Sequence, residues 1–253
     1  MKCLDKKQNL KFIPIIKKYW YRTLDIIYPA FCAYCAKSLD SLRECGICKN
    51  CLKTIKTNIS PLCLRCGLPL NKALSNIQDC PECRKSSYYF NRALCVCRYD
   101  GLVKLAIHLI KYKRKAKLGI SLAQIMADFL QNHISLKEID IITAVPLHKH
   151  KMRERGFNQA MIFVEYLVDR FKLEYSRNNL RRSKKTLSQF SLPAEKRFKN
   201  VAGAFRCENP AEFKGKSVLL VDDIFTTGAT LNECAKTLKQ AGAYKVIAVS
   251  MAR

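Results

Sequence analysis

From Asn91 onward, apolar residues recur with two interleaved periods. "RALCVCRY" (92–99) alternates and predicts a strand, whereas "GLVKLAIHLIKYK" (101–113) carries its apolar residues at helical spacing. "IDIITAVPL" (139–147) predicts an apolar strand ending at Pro146. In "GFNQAMIFVEYLVDRF" (156–171), Ala160, Phe163, Val164, Leu167, Val168 and Phe171 share one face of a helix expected to begin near Gly156. "KSVLLVDD" (216–223) predicts a buried strand, "GATLNECAKTLKQAG" (228–242) a helix stopped by Gly242, and "YKVIAVSMAR" (244–253) a last strand. Strands alternating with helices predict a mostly parallel sheet with flanking helices on both faces. Such sheets bind ligands beyond the carboxyl ends of their strands.

The chain before Asn91 reads differently. Residues 1–30 predict a basic helical lead-in, "IIKKYWYRTLDIIYP", in which Trp20, Leu24 and Ile27 form a short stripe suited to packing on the next domain. Residues 31–90 lack long periodic segments but hold nine of the 14 cysteines. A segment of that kind cannot build a large core and needs a staple. Cys32–Cys35 and Cys48–Cys51 are two Cys-x-x-Cys knuckles with twelve residues between them, and Cys63–Cys66 and Cys80–Cys83 repeat the arrangement with thirteen. Two knuckles supply four thiolates, which complete a closed tetrahedral zinc site of structural type. Two structural zinc ions are therefore expected. Two ambiguities stay open: Cys45 stands three residues before Cys48, at knuckle spacing, so it can replace Cys51 or Cys48 as a ligand, and the first knuckle can pair with the third instead of the second. Gly67 suits a tight turn after its knuckle. Cys95, Cys97, Cys207 and Cys234 fall in strand, loop or helix patterns and read as packing residues.

Composition narrows the setting. An apolar content of 49% supports a packed core, and the formal charge of +26 on 253 residues points to a polyanionic partner. The first twenty residues contain only a five-residue apolar run, too short for a signal peptide core, and no transmembrane segment is expected. The cysteines then read as metal ligands in a cytoplasmic protein and not as a disulfide framework. Charge alone also allows a membrane-surface role, with little else in its favour.

The stretch "VLLVDDIFTTGAT" (218–230) joins a strand to two acids and a small, hydroxyl-rich turn. Backbone N–H groups of the turn and of the following helix start form an anion nest, to which Thr226, Thr227 and Thr230 add hydroxyls and Gly228 close backbone approach. Asp222 and Asp223 would repel a phosphate but can accept hydrogen bonds from sugar hydroxyls. Acids for a ribose beside amides for its phosphate describe a phosphoribosyl site.

That stretch resembles the phosphoribosyl-pyrophosphate (PRPP) motif of type I phosphoribosyltransferases. Together with "AVPLHKHKMRERGFNQA" (144–160), "KKTLSQFSLPAEKRFKNVAGAF" (184–205), "IHLIKYK" (107–113) and the zinc knuckles, the chain resembles the ComF family of competence proteins over nearly everything after Tyr28. The resemblance implies a type I phosphoribosyltransferase-like α/β domain over 91–253, preceded by a double zinc ribbon over 31–90. It also implies that Asp222 and Asp223 hold the ribose hydroxyls while Thr226, Thr227, Gly228, Ala229 and Thr230 hold the 5-phosphate. Val145, Pro146, Leu147 and His148 would face the pyrophosphate, with Mg²⁺ bound mostly through substrate oxygens and water. Leu187 departs from the proline often found at its position.

The basic residues divide into three groups. Lys111, Lys113 and Arg114 surround Tyr112 in "KYKRKAK" (111–117), a mixture that suits single-stranded nucleic acid. Arg181, Arg182, Lys184, Lys185, Lys196, Arg197 and Lys199 lie in a loop-like stretch that either closes over a pyrophosphate or grips a nucleic-acid backbone. Arg153 and Arg155 are expected to open the helix near Gly156, where cations are disfavoured unless an anion lies nearby. His108 reads as a core residue and His148 as a hydrogen-bonded structural histidine or a pyrophosphate contact.

Two functions fit. In the first the protein is a DNA-uptake factor of natural transformation that handles single-stranded DNA beside uptake helicases or recombination mediators, with a PRPP-type site. In the second it is an active phosphoribosyltransferase acting on an unknown base or amine.

Overall fold

The computed structural model describes residues 31–39, 46–58, 61–70, 80–85, 87–113, 115–186 and 192–253. The expected lead-in helix, Cys45, Arg114 and Leu187 lie outside the described residues. The chain divides into two compact units, Met1–Thr54 and Ile55–Arg253.

The first unit is organised around its cysteines. A turn over 33–35 is closed by pairing of Phe31 with Ser38, and helix α1 (Lys49–Lys53) begins where the Cys48 sulfur accepts from the Cys51 N–H.

The second unit is built on a five-stranded, wholly parallel sheet. Its strands are β1 (Arg92–Cys97), β2 (Ile141–Ala144), β3 (Glu174–Tyr175), β6 (Ser217–Ile224) and β7 (Lys245–Ala252), in the spatial order β1-β7-β6-β2-β3. β4 (Leu180–Arg182) and β5 (Phe205–Cys207) form a separate antiparallel pair. Alternation sorts the central strands between two cores. Ala93, Cys95, Val218, Leu220, Val246 and Ala248 join Leu231, Cys234 and Leu238 of helix α8 (Ala229–Gln240) in one cluster. Their alternates Leu94, Val96, Leu219, Val221, Ile247 and Val249 are also buried, on the face contacted by α4 (Ala116–His133) and α6 (Gln159–Phe171). With both faces covered, β6 and β7 are near-continuous apolar runs.

The second knuckle pair belongs to this core. Cys63, Cys66 and Cys80 are buried in the α8-side cluster with Tyr88 and Phe90, and short helix α2 (Pro81–Lys85) carries Cys83. Gly67 lies against β1: with φ at +67°, any Cβ would meet the Ala93 carbonyl oxygen at 2.7 Å. Its glycine therefore serves close docking on the sheet as much as the turn itself.

Three readings of local structure change. The longest helix, α4, goes unmarked in the sequence pattern, because "KYKRKAK" spans the junction between α3 (Gly101–Lys113) and α4 and masks the break. Arg153 and Arg155 do not open a helix. They close α5 (Lys149–Arg155), with Gly156 as its left-handed C-cap, and α6 begins afterwards on the Asn158 cap. Cations at a helix C-terminus are favoured by the dipole, so the position of these two arginines does not by itself call for a nearby anion. Similarly, Lys196, Arg197 and Lys199 lie on helix α7 (Ala194–Val201) and not in a loop.

Candidate phosphoribosyl cleft and zinc centres

Each group of four cysteines has the geometry of a tetrahedral site. Cys32, Cys35, Cys48 and Cys51 form one group, Cys63, Cys66, Cys80 and Cys83 the other, each with all sulfurs within 4.8 Å of one another. The sulfur pairs Cys32–Cys51, Cys35–Cys48, Cys63–Cys83 and Cys66–Cys80 are 3.9, 3.8, 3.7 and 3.5 Å apart. A tetrahedron with Zn–S bonds of about 2.3 Å has edges of about 3.8 Å, so both groups fit zinc with no open position. Knuckles pair in sequence and not crosswise. Two structural zinc ions are the consequence of this donor set.

The carboxyl ends of β1, β2 and β6 meet around a cleft of about 720 Å³. β2 and β6 are neighbours in register, Ala144 opposite Val221, so the loop starting at Val145 faces Asp222 and Asp223 at the end of β6. The Val145 N–H donates to the Val221 carbonyl at 2.8 Å, and its own carbonyl accepts from Asn158 Nδ2 at 2.9 Å. Val145, Pro146 and Leu147 line the cleft. His148 instead caps α5, its Nδ1 accepting from the His150 N–H at 3.2 Å. Burial and the neighbouring Arg182 hold that imidazole below its usual range.

Asp222, Asp223, Thr226 and Thr230 line the opposite wall. Asp223 is held by Lys111 Nζ at 2.8 Å, and Asp222 Oδ1 accepts from the Asp223 N–H at 2.8 Å. Burial, and then the charge of Asp223, push the Asp222 carboxyl up to about 7, against the opposing pull of Lys111 and Arg182. Thr227 turns away from the cleft lining, its hydroxyl accepting from the Ala229 N–H at 3.4 Å. Gly228, the N-cap of α8, has φ +80° and no side chain with which to cap the helix, so the long Thr227 contact to Ala229 is the side-chain bond given to the first amide. A Cβ on Gly228 would meet the Phe225 ring at 2.5 Å.

The remaining wall is basic. Lys104, Lys111, Lys151, Arg155 and Arg182 set five cations against the two carboxylates. Lys151 is held below its usual range by burial and then by the neighbouring charges of Arg155, Arg182 and Lys111. Gln159 is buried, its Oε1 accepts from Arg155 at 3.0 Å, and its Nε2 has no partner among the described residues; the same holds for the buried Arg182 Nε. Five crowded cations lining one cleft are the chemistry of a polyanion site.

The basic residues singled out in the sequence thus separate. Lys111 and Arg155 line the cleft, while Arg153, Lys113, Lys184 and Lys185 do not, and Arg197 Nε donates to the Leu192 carbonyl at 3.0 Å. His108 is exposed on the cleft side of α3 and packs on Tyr112 (ring centroids 4.7 Å), so it is not a core residue. Lys104, Lys151, Asn158 and Gln159 are lining residues that sequence reasoning misses. Lys151 and Arg155, four apart, would have shared a helix face had the start of α5 been placed at His148.

Comparison with known proteins gives two family matches. The family described as "Phosphoribosyl transferase domain" matches residues 153–253, and that described as "Double zinc ribbon domain" matches residues 23–84. The "DNA utilization protein YhgH" of Salmonella typhimurium is 30% identical over 208 residues, 81% of this chain and 89% of the relative. "Competence protein F" of Haemophilus influenzae is 30% identical over 82% of this chain and 90% of its own length. "Competence protein ComFC" of Bacillus subtilis is 29% identical over 79% of each chain. Among the described residues no helix is long and apolar enough to cross a membrane.

Proposed function

The chain belongs to the family of the DNA utilization and ComF-type competence proteins, and from that membership we propose that it is a cytoplasmic DNA-uptake factor that handles single-stranded DNA and carries a PRPP-binding cleft. The observation that carries the ligand reading is the division of one cleft into three chemistries. It has a carboxylate pair at the end of β6, the start of α8 behind a glycine N-cap, and a cationic wall of Lys151, Arg155 and Arg182.

Each part has a task. Asp222 and Asp223 accept hydrogen bonds from the ribose hydroxyls, and Asp223 exchanges its bond to Lys111 for them. The Thr226–Thr230 loop holds the 5-phosphate through backbone N–H groups and the Thr226 and Thr230 hydroxyls. The Val145–Leu147 loop and the basic wall take the pyrophosphate, whose charge offsets the crowding of cations around Lys151. Mg²⁺, held mostly through pyrophosphate oxygens and water, would offset the charge of the pyrophosphate there.

Single-stranded DNA is assigned to the rim of the cleft, which Tyr112 and Lys111 line, and to the lysines beyond it. Tyr112 is exposed between Lys111 and Lys113, and Lys184 and Lys185 are exposed beyond β4. Base stacking on an aromatic with phosphates neutralised by lysines matches that surface. The second reading, transfer of ribose 5-phosphate from PRPP to a base or amine, is favoured by the intact acid pair and phosphate loop beside an open cleft. Calorimetric titration of Mg²⁺ and PRPP into the zinc-loaded protein tests the site. Saturable binding lost in Asp222→Asn with Asp223→Asn supports it, and heat-silent mixing refutes it. Release of pyrophosphate with a candidate acceptor would move the balance to the second reading.

A further inference from the structure

The two zinc centres are not equivalent, and the difference runs through Arg253. Its guanidinium is nearly buried between three groups. One nitrogen donates to the Cys66 carbonyl at 2.9 Å, another lies 3.7 Å from the Glu82 carboxylate, and Cζ sits 4.5 Å from the centroid of the Phe225 ring. Cys66 is a zinc ligand, and Glu82 lies on α2 between ligands Cys80 and Cys83. Phe225 is 1% exposed and occupies the space beneath Gly228, while its N–H donates to the Ala252 carbonyl at 2.8 Å. The ring is the floor of the phosphate loop, and the cation lying on it is held by the backbone and helix of the second zinc ribbon.

A second path joins the same elements. Tyr88 stacks on Phe90, meets Phe225 edge-on, and donates through its hydroxyl to the Thr227 carbonyl at 3.4 Å. Arg65, inside the Cys63–Cys66 knuckle, donates to the Tyr88 carbonyl at 2.8 Å, and the neighbouring Tyr89 N–H donates to Asn232 in the first turn of α8 at 2.6 Å. The first group of four cysteines belongs to the other compact unit.

We propose that the second zinc ribbon is the foundation of the phosphate loop, and that Arg253 is the positioning residue that transmits its geometry through Phe225 to Gly228 and the amides at the start of α8. A guanidinium spread over an aromatic face and bonded edge-on to a carbonyl is rigid in a way that a packed aliphatic chain is not. The proposal rests on the reading of that loop as a phosphate site for its ligand consequence, but not for its structural one.

The experiment therefore has two arms on the full-length, zinc-loaded protein. Hydrogen exchange of the peptide covering 225–231 is compared in the parent, Arg253→Met and Arg253→Lys, with zinc content measured in each. Ribose 5-phosphate affinity is then titrated in the same three proteins. The expected result is zinc retained throughout, loop exchange faster by about tenfold in Arg253→Met, and partial recovery in Arg253→Lys, which restores the cation on Phe225. Ribose 5-phosphate affinity should follow the same order. Unchanged loop exchange in Arg253→Met overturns the proposal. Altered exchange without ribose 5-phosphate binding in the parent upholds the mechanical link and removes the phosphoribosyl reading alone.

Discussion

Lys111 Nζ lies 2.8 Å from the Asp223 carboxylate, both side chains are about one-seventh exposed, and the pair lies in the cleft proposed to take a ribose. The cleft thus carries its own counter-ion on the last turn of α3. A pair this shielded is screened far less than a surface ion pair, whose contribution is about 0–1 kcal/mol. A double-mutant cycle on Lys111→Met and Asp223→Asn should give a coupling of about 2 kcal/mol in urea unfolding. A coupling below about 0.5 kcal/mol would mean that water screens the pair as it does at the surface.

Asp222 makes stability depend on pH in a stated direction. Its carboxyl is raised from 3.8 to about 7 by burial and by Asp223. The folded form therefore binds the proton more tightly than the unfolded chain, so the contribution is full below about 4 and lost as pH rises through about 7. Between pH 5.5 and 8 the parent should lose stability relative to Asp222→Asn, by at most about 3 kcal/mol. Melting temperatures of the two proteins across that window decide it. Parallel curves would show that Asp222 is ionised throughout.

The periodic elements were legible because their burial is two-sided or one-sided in a regular way. β6, β7 and α8 are apolar at nearly every position or on one clean face, and each lies within a residue or two of where its pattern predicts it. The carboxylates were legible because two adjacent acids ending a buried strand are costly to desolvate and so draw attention. The basic wall was not, for a reason visible at Gln159. A buried amide becomes informative only when its partners can be counted, and its neighbour Arg155 lies across a helix break hidden by the charged run Lys149–Arg155. The Arg253–Phe225 contact joins residues that are close only through β7 pairing, and no local pattern announces it.

Removing either zinc ligand set should have unequal effects. Metal analysis should find two zinc ions per chain. Cys32→Ser should lower this to one and leave the main thermal transition in place, because its cluster lies in the first compact unit. Cys63→Ser should also lower it to one but destabilise the second unit by on the order of 5 kcal/mol, since Cys63, Cys66 and Cys80 are part of that core. Equal shifts in the two variants would contradict the separation of the centres.

Gly228→Ala tests the loop from within. The residue has φ +80°, and its new Cβ would meet the Phe225 ring at 2.5 Å. Backbone strain and the displaced ring together should cost about 2–4 kcal/mol. Ligand affinity should fall more than stability does, because the loop amides are re-aimed. PRPP titration of the variant well below its melting point separates the two: parental affinity would show that the loop amides do not hold the phosphate.

The surface assigned to single-stranded DNA makes a quantitative demand on salt. Each phosphate contact releases counterions, so log affinity falls against log salt by about 0.7 per contact on a single strand. Four contacts imply a loss of about 50-fold between 50 and 200 mM salt, nearly indifferent to sequence. Lys184 and Lys185 are exposed and stand outside the cleft, so Lys184→Ala with Lys185→Ala should reduce the slope by about 1.4. PRPP affinity should change little in the same protein. Fluorescence anisotropy of a labelled oligonucleotide across a salt series reads the slope directly. A flat response in the parent defeats the polyanion assignment, and a parental slope in the double variant moves the contacts away from this stretch toward Tyr112 and its flanking lysines.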